Sequence, residues 1–306
     1  MSAKSDLFTR LQYLNAAIPL EPLIDVGIAI SEHNGVANLL RKGLGIVAFN
    51  ILEDFIKNKS AEALDSLSTS LLPFRHLTDT LQEAAISGAL NALSSKSSTN
   101  KRDGSDWRVI IQQETLKIHS TQNPTYQLSK YSLMNSGSNV TASEVNDFLR
   151  AFGLTGGWTL MKNVSDNIGG GLPDLGQAYQ NASQRRHNAA HAANFQYDYL
   201  WLSNIKNEIL AICASLDILI TARCRQVVRE PSKIMSDHDI NTELNYRFLE
   251  PGGGTMYRET SVIGGRSRKN WPSLADALAH LRPQLGARKE FLVILNLSKR
   301  IEDWYS

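Results

Sequence analysis

The chain has 306 residues, of which 42% are hydrophobic, 20% charged and 8% aromatic, a composition that supports a buried core and excludes a disordered or collagen-like protein. Thirty-two Lys and Arg stand against 30 Asp and Glu, a formal charge of +2, so no polybasic tail carries function and an anionic partner must be bound locally. The two cysteines, Cys213 and Cys224, cannot staple a fold of this size, the start of the chain has no basic segment leading into an apolar one, and no stretch approaches the roughly 18 apolar residues of a membrane span, which together lead us to expect a soluble, cytoplasmic protein with no membrane partner.

In chain order, residues 36–59 place Val36, Leu39, Leu40, Leu44, Val47, Ala48, Ile51, Leu52 and Phe55 at helical spacing and predict a buried helix, interrupted only by Gly43 and Gly45. A second helix is predicted from residue 60 towards 93, kinked or split at Pro73. Polar residues 94–106 predict an exposed loop, 107–118 a helix, and 120–140 irregular surface structure. Thr141 and Glu144 fit a capping box, which predicts a short helix to about Phe152 that ends at Gly153.

Gly169-Gly170-Gly171 with Pro173 marks a turn; no GxxxxGK[ST] phosphate loop is present. Residues 175–194 then predict a helix of unusual polarity, rich in Ala, Gln and Asn, and 197–228 a long helix with apolar residues on two sides, ended by Pro231. Around Gly252-Gly253-Gly254 the flanking residues 246–249 and 259–263 predict a hairpin, followed by one or two helices between 273 and 305.

Titratable groups concentrate in Arg185-Arg186-His187-Asn188-Ala189-Ala190-His191, on the polar helix. Five residues separate Arg186 from His191, about 7.5 Å along a helix axis and roughly 140° around it. A guanidinium pairs with phosphate through a fixed fork, and an imidazole exchanges protons near neutral pH. Those are the two functions needed to break an RNA phosphodiester without a metal or other cofactor, because RNA supplies its own nucleophile in the 2′-hydroxyl.

This hexad resembles the signature of the HEPN superfamily (Arg, a polar residue, three variable residues, His), with Arg186, His187 and His191 in those places. The context is similar to the RiboL-PSP or MAE-like nuclease branch: an early apolar helix carries Glu53-Asp54-Phe55, and the motif precedes a long apolar helix. The resemblance covers residues 36–230, leaving 1–35 as an N-terminal extension and 231–306 as a small α+β extension on a mainly α, HEPN-like helical bundle. It implies a homodimer whose two motif helices face each other across a composite cleft, and a metal-independent endoribonuclease that leaves 2′,3′-cyclic phosphate and 5′-hydroxyl ends. Many such members serve as toxins or anti-phage effectors, which adds an antitoxin or a defence-system protein to the partners that the resemblance allows. The alternative from another class is a non-catalytic HEPN-like dimer that binds a nucleotide or a protein.

Other readings of the same residues stay open at this point. His191 also fits a core histidine bonded to a backbone carbonyl, and His187 a structural partner. Arg185 also lies within the spacing of the motif, Asn188 suits either a phosphate oxygen or a helix-packing bond, and Glu53 either orients an arginine or is a solvated charge at a helix end. His187 and His191 have the spacing of a zinc-binding helix, but Asn188 stands where a zinc protease needs Glu and no third ligand is evident, so no metal site is expected. Arg266, Arg268 and Lys269 beside Trp271 suit either an RNA-binding patch with an aromatic stacking surface or a solvated hairpin loop. The C-terminal segment is too small to bury a core alone and is expected to pack on the bundle or across the dimer.

Overall fold

The computed structural model describes residues 2–27, 31–102, 106–134 and 139–306. The fold is mainly helical with a C-terminal part that mixes helices and strands, as the sequence predicts. Contacts divide the chain into two units, one of Met1–Ile56, Met161–Leu216 and Tyr246–Ser306, the other of Lys57–Leu160 and Asp217–Asn245.

In the first unit, Ser2 caps helix α1 (Ala3–Ala17) by accepting from the Ser5 amide, and Leu7, Leu11 and Leu14 bury one face. Pro19 follows its end. Helix α2 (Ser31–Ser68) begins here and meets α1 through Arg10 and Asp54, 2.6 Å apart. Its stretch Glu32–Ser68 contains an 18-residue window with a mean hydropathy of 1.2, contrary to the expectation that no stretch would match a membrane span by length and composition. Half of that window is buried inside the protein, as in a core helix. Helix α8 (Leu175–His191) and the start of helix α9 (Tyr199–Arg229) belong to the same unit.

The sheet of this unit runs β3-β2-β1-β4-β5, with β1 (Asn245–Gly253) and β2 (Met256–Thr260) the predicted hairpin and β3 (Lys269–Trp271) antiparallel to β2. Helices α10 (Leu274–Leu281) and α11 (Leu285–Arg288) cover Leu249, Trp271, Leu292 and Ile294 with Ala277, Leu281 and Leu285. Strands β4 (Glu290–Leu295) and β5 (Ile301–Tyr305) pair antiparallel where a second helix was an option. The apolar run Phe291-Leu-Val-Ile-Leu295 has no periodicity that distinguishes a buried strand from a helix. Trp304 of β5 packs on Phe8 and Phe55, with ring centroids 5.6 and 6.5 Å away, so the C-terminal sheet rests on the first two helices. The β4–β5 loop also meets the glycine turn before α8: at Gly169, with φ +81°, a Cβ would lie 2.6 Å from the Lys299 carbonyl oxygen.

The second unit begins with the last turns of α2, which runs on to Ser68 instead of ending near residue 59; Asn58, Lys59 and Ser60 contain no helix breaker. The break comes instead around Pro73. Helices α3 (Asp79–Glu83) and α4 (Ala89–Arg102) are joined by a π-helical turn, Ala84–Gly88. The polar segment expected to loop at 94–106 is therefore helical as far as Arg102, and residues 103–105 lie outside the described residues. Helix α5 (Trp107–Ser120) forms as predicted, and Ala89, Leu93 and Ile118 make a small core between α4 and α5. After Ser120, which ends α5, the expected irregular segment carries no helix or strand among its described residues, 135–138 lying outside them. Thr141 and Glu144 form the predicted capping box of helix α6 (Ala142–Ala151), and helix α7 (Gly157–Asn167), which sequence reading passed over, follows the turn at Gly153.

Residues 231–245 fold back on the end of α9. Buried Arg223 donates to the carbonyls of Met235 (2.9 Å), His238 (3.1 Å) and Gly153 (3.2 Å), and burial lowers its pKa to about 10. Burial, reinforced by the Arg223 and Lys233 cations, also pushes the His238 imidazole below its ordinary value of 6.5.

Two measurements check these contacts. Gly169→Ala should lower the melting temperature, because a left-handed φ costs a residue with a Cβ roughly 1–2 kcal/mol before the steric conflict with Lys299 is added; an unchanged melting temperature would show that the turn can move away. The unfolded chain binds a proton on His238 below its ordinary pKa while the folded chain binds it only at lower pH. Stability should therefore rise with pH through that window and level off above about 6.5. Urea unfolding of wild type and His238→Gln between pH 5 and 8 should show the variant with a shallower slope, and equal slopes would remove His238 from the account.

Candidate active site

Helix α8 is positioned at both ends. Asp174 caps its start by accepting from the Gln177 amide at 2.8 Å, and Leu175, Tyr179 and Ala182 bury its inner face, with Tyr179 5.7 Å from the Phe49 ring. At its other end the helix leaves carbonyls without intrahelical partners. The Lys42 ammonium donates to two acceptors there, Ala192 O (3.2 Å) and Ala193 O (3.0 Å).

The loop that follows is held by the same stretch of α2. Asn38 donates to Phe195 O (3.1 Å) and accepts from the Tyr197 amide (2.8 Å). Buried Arg41 donates to Tyr197 O (2.7 Å), Leu23 O (2.8 Å) and the Asp25 carboxylate (3.0 Å). Sequence reading missed these three residues, although Asn38, Arg41 and Lys42 form a polar stripe at helical spacing within an apolar helix, and such a stripe signals buried polar partners.

Within the motif, the two arginines differ. Arg185 is committed: it pairs with Glu208 of α9 at 2.5 Å, donates to Asn181 O at 3.2 Å and lies 5.7 Å from the centre of the Trp201 ring. Among the described residues Arg186 forms no ion pair, and its buried Nε has no hydrogen-bond partner. A buried donor without a partner is costly, and an anion would satisfy it.

His187 and His191 are both exposed, with ring centroids 4.9 Å apart and an interplanar angle of 51°. His191 is the last residue of α8, so the core-histidine reading is overturned. Asn188 accepts from Gln184 at 2.9 Å, one turn earlier on the same helix. Among the described residues no group of three or more His, Cys, Asp or Glu gathers to hold a metal. Glu53 is buried in the middle of α2, which overturns the reading of a solvated charge at a helix end.

The C-terminal candidates separate. Arg266, Arg268 and Lys269 are exposed, but Trp271 is 6% exposed, is packed in the sheet core and donates its indole N–H to Glu259 at 2.9 Å. The Lys269 ammonium sits 3.7 Å over its ring. The reading of Trp271 as an aromatic stacking surface, one of the two alternatives, is therefore corrected: the ring belongs to the core.

Close packing fixes the loop after α8 against α2. At Gly45 a Cβ would lie 2.3 Å from Cε2 of the buried Tyr197 ring. Gly45→Ala should cost about 1–3 kcal/mol as overpacking and raise amide hydrogen exchange in residues 192–198 more than in α5. Uniform exchange across the chain would show that the loop does not depend on this contact.

No curated protein and no solved structure is significantly similar to the chain. The model of the RiboL-PSP-HEPN family matches residues 5–222, more than two thirds of the chain, and takes in most of α1 and the predicted bundle as far as residue 222. HEPN domains are generally ribonucleases, a coarse assignment to a nuclease family. By that match, the chain belongs to the RiboL-PSP-HEPN family.

Proposed function

We propose that the protein is a metal-independent endoribonuclease that acts as a homodimer, with Arg186 and His191 as its catalytic residues. The observation that carries this reading is Arg186, whose buried Nε has no partner among the described residues, on the same helix as two exposed imidazoles, with the end of that helix tied to α2. Arg186 binds the scissile phosphate and stabilises its developing charge, while His191 takes the 2′-hydroxyl proton or delivers one to the leaving 5′-oxygen. The bond to the 5′-oxygen breaks as the bond from the 2′-oxygen forms, leaving a 2′,3′-cyclic phosphate and a 5′-hydroxyl.

About 140° separates Arg186 from His191 around one helix, so a second copy of α8 is the economical way to surround one phosphate with both. Val36, Leu39, Leu40 and Val47 leave an exposed apolar stripe on α2, the helix that caps α8, and such a surface suits a second copy of the chain. A toxin or anti-phage role, restrained by an antitoxin or another partner protein in the cytoplasm, fits this activity. His187, beside His191, orients it or holds the RNA.

Labelled single-stranded RNA incubated with the purified protein in excess EDTA tests the reading. Wild type should cut it, and Arg186→Ala and His191→Ala should each lose about 10² to 10⁴ in rate while remaining folded and dimeric. Folded wild type that binds RNA without cutting it would favour the binding module, and both variants cutting within about twofold of wild type would reject the assignment.

A further inference from the structure

Removing Trp271 from the surface leaves the question of what holds a base. Of the five tryptophans, only Trp201 is among the exposed large apolar residues, with 39% of its surface in solvent. It lies in the first turn of α9, directly after the loop that leaves the motif helix. Its ring runs nearly parallel to Phe195, at 19° with centroids 6.2 Å apart, and stands edge-on to buried Tyr197, at 78° and 6.0 Å. The loop carrying Phe195 and Tyr197 is itself bonded to Asn38 and Arg41. The indole is thus braced before any ligand arrives, which lowers the ordering cost of stacking on it.

A neighbouring cation points the same way. The Arg185 guanidinium, held by Glu208, is 5.7 Å from the Trp201 ring centre and adjoins Arg186 in the chain. From Arg185 to His191 is about 9 Å along the helix axis, a separation that places the indole near a nucleotide flanking a phosphate held by the motif. Single-stranded RNA is commonly held in this way, by bases stacked on aromatic rings beside cationic groups.

We propose that Trp201 is the base-stacking residue of the RNA site, binding an unpaired nucleobase that flanks the scissile phosphate. The proposal rests on the reading of the motif as a ribonuclease site, and it assigns Trp201 to substrate binding without a part in proton transfer.

The test uses the full-length protein and a single-stranded 2′-O-methyl oligonucleotide, which binds without being cut, together with its cleavable RNA counterpart. Trp201→Ala should weaken binding about 10-fold or more, the range found for loss of one base stack, and raise KM with kcat within about twofold. Trp201→Phe should keep most of the affinity. Removing bases one position at a time should reveal one abasic site that weakens wild type by a similar factor and leaves Trp201→Ala unaffected, a coupling that a merely structural tryptophan would not show. Should Trp201→Ala fold poorly, quenching of tryptophan fluorescence by the oligonucleotide in wild type, largely lost in Trp201→Phe, gives the same answer. Wild type that cuts RNA while Trp201→Ala keeps its Kd and KM, or Trp201→Phe that keeps the full quenching, would overturn the stacking role and spare the nuclease reading. Wild type that neither binds nor cuts RNA would overturn both.

Discussion

The candidate site depends on how the backbone after α8 is satisfied. A helix end releases carbonyls that need donors, and the loop beyond it has no regular partner of its own. Here the donors come from three side chains on one face of α2, Asn38, Arg41 and Lys42, which reach Phe195, Tyr197, Ala192 and Ala193. Arg41 also reaches Leu23 and Asp25, so one buried guanidinium joins the segment after α1, the helix α2 and the loop between α8 and α9. Burying a charged group is costly without full pairing; Arg41 meets this condition with carbonyls and one carboxylate. Geometry at the motif is therefore set by residues outside it.

The C-terminal sheet restrains the other end of the same helix. Gly169 lies against the Lys299 carbonyl, and a Cβ at Gly171, with φ +67°, would meet the Arg300 guanidinium at 0.7 Å. At Gly169 two pieces of backbone approach too closely for a side chain, whereas at Gly171 the space is taken by the end of the Arg300 side chain. Trp304, held between Phe8 and Phe55, fixes the strand that follows that loop. Residues 246–306 thus support α8 from its start, a role independent of any contact with a substrate.

Much of the helical framework was legible because local chemistry and periodicity agreed. Thr141 and Glu144 predicted their own capping box, Pro231 followed the end of α9, and the unusual polarity of residues 175–191 marked the motif helix. The failures share a physical cause, since local pattern does not report tertiary surroundings. Residues 291–295 are apolar throughout because both faces of β4 are buried, and this removes the alternation that identifies a strand. Trp271 beside three basic residues resembled an exposed platform, yet its N–H found Glu259 inside the sheet. Arg185 and Arg186 were interchangeable by spacing alone; Glu208, more than twenty positions away, distinguishes them.

That distinction explains why two adjacent arginines belong in one motif. Successive residues on a helix point about 100° apart, so two neighbours leave the backbone in different directions. Arg185 turns to α9 and joins Glu208 and Trp201, and its neighbour has no carboxylate partner among the described residues. A carboxylate at Arg186 would neutralise the cation and occupy the fork that a phosphate requires. Locking Arg185 in an ion pair therefore serves Arg186 indirectly: it ties the helix to α9 and satisfies Glu208. The resulting arrangement, one arginine spent on structure and one kept open beside exposed histidines, has the features of a site organised in advance for an anion.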